Sequence, residues 1–118
     1  MIAKTFQELI VWQKSKDLLL LIFPLSKSIK DFSFRDQLNR ASLSISNNIA
    51  EGFGRNSKRE FKRFLNISLG SAYEVKSMLM IFKELKLIST DEAEKSINQV
   101  SVVIRLLIGL IVKINVNK

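Results

Sequence analysis

The feature that most constrains the fold is a heptad pattern near the end of the chain. Seven apolar residues follow one another there at steps of four and three. They are Ala93, Ile97, Val100, Ile104, Leu107, Ile111 and Ile114. Because this spacing keeps one side of an α-helix apolar over about six turns, the pattern predicts a long amphipathic helix that packs along other helices.

Capping signals place further helices before this one. The S/T-x-x-E pattern of a capping box begins at Thr5, Ser57 and Ser89. Pro24 is expected to kink or end the first helix near its preceding turn, because proline lacks a backbone donor. The predicted helices cover residues 6–30, 35–53, 58–87 and 90–115. Since short connections separate them, the sequence predicts an all-α fold, an antiparallel up-down-up-down four-helix bundle forming a single domain over 1–118.

Helical periodicity also predicts which side of each helix is buried. The stripe on the first helix consists of Leu9, Trp12, Lys16, Leu19, Ile22 and Phe23. The stripe on the second consists of Phe34, Leu38, Ala41, Ile45, Ile49 and Gly52. The stripe on the third consists of Phe61, Phe64, Leu65, Ser68, Ala72, Val75, Leu79 and Phe82. The fourth helix has a second apolar face, which we expect to pack, with part of the first helix, against a neighbouring subunit. This face consists of Val103, Leu106 and Leu110.

Residues 42–55, SLSISNNIAEGFGR, match more than one structural pattern. Alternation of serine with leucine and isoleucine is typical of a strand, and the glycines resemble a phosphate-binding loop. No Lys-Ser/Thr pair follows the glycines and no strand precedes them, which excludes that loop. Helical winding places polar and apolar residues on separate stripes, whereas a strand would scatter both over two faces. The segment is therefore predicted to be helical, with Gly52 and Gly54 as its end.

The polar stripe on this helix admits three interpretations: a buried structural network, a ligand or nucleic-acid site, or a solvated face. Its short and amide side chains suit close helix contacts better than a solvated face. Gly70 on the third helix also suggests that something approaches closely, because glycine weakens a helix. We expect Arg40 to pair with Glu74 in the interior. The predicted network consists of Gln37, Arg40, Ser44, Asn48, Glu51, Ser71 and Glu74.

The chain contains neither cysteine nor histidine. This excludes disulfides, Cys/His metal sites, histidine bases and cysteine nucleophiles. Glu51 and Glu74 would be the pair for acid/base chemistry, whereas Ser44 has no base beside it, since Arg40 cannot accept a proton at neutral pH. We therefore expect a non-enzymatic protein with no catalytic residue, no metal, no cofactor and no small-molecule substrate.

Lysine and arginine outnumber aspartate and glutamate by 19 to 11, which gives a net charge of +8. Such an excess attracts polyanions. Five cations cluster around the start of the third helix, where free N–H groups already favour phosphate. They fit a phosphate-contact surface or an exposed charged end, and Phe53 beside them fits stacking on a base or burial in the core. The cluster consists of Arg55, Lys58, Arg59, Lys62 and Arg63.

The start of the chain lacks the pattern of a secretory signal, because acidic and amide residues interrupt its apolar positions. The most apolar tract, Val102 to Ile114, contains two cations and is shorter than the roughly 20 residues that a spanning helix needs. We expect a cytoplasmic protein that does not enter a membrane.

Three segments together form a specific signature: LIVWQK (9–14), QLNRASLSISNNIAEGFGR (37–55) and EFKRFLNISLGSAYEV (60–75). They resemble the four-helix-bundle proteins encoded in intervening sequences of bacterial 23S rRNA genes. The resemblance implies a homopentameric ring. It also extends to the accessory proteins of diversity-generating retroelements, which bind nucleic acid. The shared positions are Gln37, Arg40, Ser44, Asn48, Glu51, Gly52, Gly54, Arg55, Gly70, Ser71 and Glu74.

The sequence leaves three functions open. The first is a basic oligomeric bundle that binds RNA or DNA through phosphate contacts with little sequence specificity, with RNA favoured by the gene context of the family. The alternative is a structural or protein-interaction bundle that does not bind nucleic acid. The third, an enzyme using carboxylate chemistry, has the least support because a suitable base is lacking.

Overall fold

Four α-helices and one short 3-10 turn make up residues 3–116, the part of the chain that the computed structural model describes. The turn spans Phe6–Glu8. The helices are α1 (Ile10–Ser26), α2 (Phe32–Gly54), α3 (Lys58–Glu84) and α4 (Thr90–Lys113). Residues 3–116 contain no strand. The prediction of an all-α single domain with four helices is confirmed, and the segment 42–55 is helical.

Side-chain caps begin three of the helices, because the first N–H groups of a helix have no partner within it. Asp31 caps α2, Ser57 caps α3 and Ser89 caps α4, each accepting a bond of 2.9 to 3.2 Å from the N–H three residues ahead. The capping predictions at Ser57 and Ser89 are therefore confirmed. Asp31 was missed, and α2 consequently begins at Phe32 instead of residue 35.

The first helix differs from its prediction. The Thr5 hydroxyl accepts no bond from a backbone N–H and instead donates to a carboxylate oxygen of Glu8 at 3.5 Å. The Glu8 carboxylate accepts from the backbone N–H of Lys4 at 3.2 Å. An extended Leu9 separates the 3-10 turn from α1. Pro24 lies inside α1, and the helix ends two residues later instead of at residue 30.

The buried face of α1 is also rotated relative to the prediction. Leu18 and Ile22 are fully buried, whereas Phe23 is 53% exposed and Leu19 is half-buried. Residues 18–23 are all apolar, so periodicity alone does not choose among their faces. The choice is made by packing against the other helices.

The stripes predicted on the other three helices form the core. On α2 the exception is Phe34, which is 38% exposed, and on α3 it is Phe61, which is half-buried. On α4 Ile97, Ile111 and Ile114 are half-buried and pack against the core from its edge. Val103 on α4 is fully buried inside its own chain, which corrects the expectation that it faces a neighbouring subunit. The fully buried side chains are Leu18, Ile22, Ile29, Leu38, Ile45, Ile49, Leu65, Val75, Leu79, Val100, Val103 and Leu107.

Each helix packs against two others: α1 and α3 both contact α2 and α4. Polar bonds accompany the apolar contacts. The Ser68 hydroxyl on α3 donates to the carbonyl of Ile45 on α2 at 2.9 Å. Lys83 on α3 pairs with Glu94 on α4 at 2.7 Å. The result is a rod of 49 × 22 × 21 Å.

By length and composition α4 is apolar enough to cross a membrane, and it is the one such helix within residues 3–116. A core helix of a soluble bundle passes the same criterion. Val100, Val103 and Leu107 of this helix are fully buried inside the chain. Of the most apolar stretch of α4, 28% is buried inside the chain.

Candidate nucleic-acid interface

The turn between α2 and α3 holds the predicted cation cluster in place. Asn56 has a φ of 55°, a left-handed conformation that asparagine adopts more readily than most residues. Gly52 lies within α2, and a Cβ added to it would lie 2.6 Å from the Cβ of Phe64 on α3. Gly52 therefore allows close contact between the two helices. The prediction that it ends α2 is wrong for this residue. Gly54 is the last residue of the helix.

Two arginines of the cluster are held by carboxylates and an aromatic ring. Arg55 pairs with Glu51 at 2.8 Å, and Arg63 makes two bonds to Glu60 at 3.0 and 3.1 Å. Both guanidinium groups lie over the ring of Phe64, at 5.1 Å and 4.5 Å from its centroid. These contacts fix both side chains at the surface where α2 ends and α3 begins.

The contact between Arg63 and Glu60 shifts the pKa of both groups. The hydrogen bond from Arg63 lowers the pKa of the Glu60 carboxyl, and the positive charges of Arg63 and Arg55 add to the effect. The same hydrogen bond raises the pKa of Arg63. Glu60 therefore stays ionised and remains an internal partner for Arg63.

The other three cations have no acidic partner within residues 3–116. Lys58 and Arg59 are exposed and Lys62 is half-buried. All three lie in the first two turns of α3, where the helix dipole repels cations and attracts anions. Within the cluster five cations face two carboxylates, Glu51 and Glu60, so its charge is positive.

An open cleft of about 580 Å³ adjoins the cluster. Phe53 and Phe61 line it, with ring centroids 6.0 Å apart and planes at 83°. Lys58 of the cluster and Lys4 of the N-terminal segment also line it. Sequence reasoning did not include Lys4, because only the fold brings the N-terminal segment beside α3.

Part of the predicted polar network is present between α2 and α3. The hydroxyls of Ser44 and Ser71 lie 3.0 Å apart. The Asn48 amide donates to the hydroxyl of Ser44 at 2.9 Å and to its carbonyl at 2.8 Å. These three half-buried residues form a small structural contact between the helices.

The charged members of that network lie elsewhere. Arg40 is 79% exposed and pairs with Asp36 at 2.9 Å, so the expected interior pair with Glu74 is wrong. Glu74 and Gln37 are exposed, and Glu51 pairs with Arg55. The reason is geometric: the contact between α2 and α3 runs through the small side chains, and Arg40 points away from it.

Gly70 also departs from expectation, because nothing lies within 4 Å of a Cβ added there. No segment of the described chain approaches it closely. No group of three or more residues able to hold a metal ion is found within residues 3–116.

The fold and the cation cluster together define a small all-α bundle with a basic end. The family model of the 23S rRNA-intervening sequence protein matches residues 7–109. The chain belongs to this family, as its signature segments indicated. No curated relative matches it.

A solved structure supports the fold. The chain is similar to a protein of unknown function from the S23 ribosomal protein family of Bacteroides thetaiotaomicron VPI-5482, whose crystal structure has a resolution of 1.70 Å. The two are 29% identical, with a TM-score of 0.82. The similarity covers 86% of this chain and 98% of the other.

Proposed function

We propose that this protein is a non-enzymatic, basic, oligomeric bundle that binds RNA or DNA through phosphate contacts with little sequence specificity. The observation that carries the proposal is a set of three cations at the start of α3 that have no acidic partner among residues 3–116: Lys58, Arg59 and Lys62. Lysine and arginine on one surface attract the phosphate backbone whatever the base sequence. RNA is the slightly favoured ligand because the family takes its name from an rRNA gene segment.

We further propose that the rods assemble into a ring, with five subunits as the family resemblance implies. A single end with three free cations binds phosphate weakly. Repeated around a ring, such ends form a continuous positive band, and linked weak contacts strengthen one another. Exposed apolar residues on α4 support the ring: Ile108 is 41% and Val112 is 76% exposed.

We also infer that successive helices run in opposite directions. Between α2 and α3, Ile45 contacts Ser68, whereas Gly52, further along α2, lies against Phe64, earlier on α3. Partners that move in opposite directions along the chain are those of antiparallel helices. Similarly, Lys83 near the end of α3 meets Glu94 near the start of α4.

Fluorescence anisotropy with labelled single strands of RNA and DNA tests the proposed function. We expect binding at low salt that weakens steeply between about 50 mM and about 200 mM salt. The triple variant Lys58→Gln, Arg59→Gln, Lys62→Gln should lose this binding and keep its fold, because the three side chains have no acidic partner to lose.

A matched control distinguishes position from overall charge. Lys27→Gln, Lys30→Gln, Lys86→Gln removes the same charge from exposed positions in the α1–α2 and α3–α4 connections, at the other end of the rod. It should bind nearly as well as wild type. Equal losses in both triple variants would contradict a localised surface. No binding by wild type at low salt would favour the protein-interaction function.

A further inference from the structure

The cleft beside the cation cluster combines apolar and basic lining residues. Phe53, Phe61 and Leu110 are among its apolar lining residues, and Lys4 and Lys58 are its basic ones. Its volume of about 580 Å³ lies within the range of about 300–1,000 Å³ that is common for small-ligand sites. It opens next to the residues proposed to contact phosphate, and Lys58 belongs to both.

The aromatic rings are arranged so that a flat ligand has a surface to contact. Phe53 and Phe61 meet edge to face, at 83°, and not as a stack. Each ring therefore keeps at least one face that the other ring does not cover. Phe53 is half-buried, so part of its surface remains open to the cleft.

A nucleobase has the chemistry that these features require. Every base is flat and can stack on an aromatic side chain, and each carries a phosphate within reach of neighbouring cations. Bases inside a duplex are already stacked on one another, whereas bases of a single strand are free to enter a cleft. An apolar ligand without charge would leave the two lysines without a role.

We propose that this cleft takes one nucleobase of a single strand, stacked against Phe53, while Lys4 and Lys58 contact the adjoining phosphates. This inference rests on the proposed function and adds to it a preference for unpaired bases. Stacking on a phenyl ring does not read hydrogen-bond patterns, so the preference carries little sequence specificity.

An abasic strand separates base contacts from phosphate contacts. A labelled thymidine strand of about 12 nucleotides and an abasic strand of equal length carry the same phosphates. We expect wild-type protein to bind the thymidine strand about tenfold more tightly, as anisotropy at low salt would show. Phe53→Leu keeps an apolar side chain but removes the ring, and should bring the two affinities together.

Phe32→Leu is the matched control, because Phe32 is 69% exposed at the start of α2, far along the chain from the cleft. It should keep the difference between the strands. Equal binding of both strands by wild type would overturn the nucleobase site and leave the proposed function standing. Binding of neither strand would overturn the proposed function itself. Because the strand comparison uses wild-type protein, it holds even if Phe53→Leu fails to fold.

Discussion

At the scale of single residues, the cation cluster divides into paired and unpaired members. Arg63 makes two bonds to Glu60, and Arg55 is bonded to Glu51. These carboxylates compete with any phosphate for the same guanidinium groups. The sequence predicted a cluster of five cations but not which of them pair with carboxylates. Pairing at i,i+3 and i,i+4 depends on side-chain rotamers, which the sequence does not show.

Glu60→Gln should therefore tighten nucleic-acid binding. The change frees Arg63 and removes a negative charge, so the salt dependence should steepen by about one phosphate contact. Anisotropy titrations at several salt concentrations measure both effects. Glu94→Gln is the control, because it removes a carboxylate near the start of α4 that pairs with Lys83 of α3. It should change neither the affinity nor its salt dependence. Equal tightening by the two variants would mean that net charge alone matters.

The same pair has a predictable pH dependence. The pKa of Glu60 in the folded protein lies below its ordinary value. The pair therefore stabilises the fold at any pH above that ordinary pKa. This stabilisation is lost as the pH falls through the lowered folded pKa. In Glu60→Gln that contribution to the acid sensitivity of the melting temperature should disappear.

At the scale of helices, the contact between α2 and α3 depends on glycine at one position and not at another. Gly52→Ala should destabilise the protein by about 1–3 kcal/mol, since the new Cβ would meet the Cβ of Phe64 at 2.6 Å. Gly70→Ala has open space around it and should stabilise α3 by about 0.5–1 kcal/mol. Urea unfolding at one fixed protein concentration measures both. Changes of the same sign would show that the helices are spaced differently.

How well each helix could be predicted follows from its pattern. The heptad of α4 and the alternating steps of α3 have one apolar side, so periodicity identified most of their buried residues, with Val103 of α4 as an exception. The run at residues 18–23 is apolar on every side, so periodicity predicted the wrong buried face for α1. The polar stripe of α2 was recognised, but small polar residues are compatible with burial and with exposure. Burial within this stripe depends on which of its residues lie against α3, and the sequence does not show that.

At the scale of the whole molecule, a groove between the start of α1 and the end of α4 is the surface we expect to join subunits. It has a volume of about 340 Å³, and its apolar residues include Ile10, Leu106 and Leu110. Leu106 and Leu110 are half-buried, and their contact with a neighbouring subunit stays a prediction, whereas Val103 belongs to the core.

Gly109→Gln should separate the subunits without unfolding them. Nothing lies within 4 Å of a Cβ at Gly109, so the single chain tolerates a side chain there, and a packed neighbour would not. Light scattering at micromolar concentration should show an oligomer for wild type and a monomer for the variant. Gly54→Gln, equally open, is the control and should remain oligomeric. An oligomeric Gly109→Gln variant would move the interface to another face.

The buried serines have a consequence for how this protein can change over evolutionary time. The hydroxyls of Ser15, Ser42 and Ser46 each donate to a carbonyl of their own helix, three or four residues earlier. Exchange with alanine at such a position leaves no donor stranded, whereas a larger side chain would overfill the space. Serine and alanine can therefore replace each other at these positions without changing how the helices pack. At these positions side-chain volume, and not hydropathy, is therefore the property that relatives of this bundle should share.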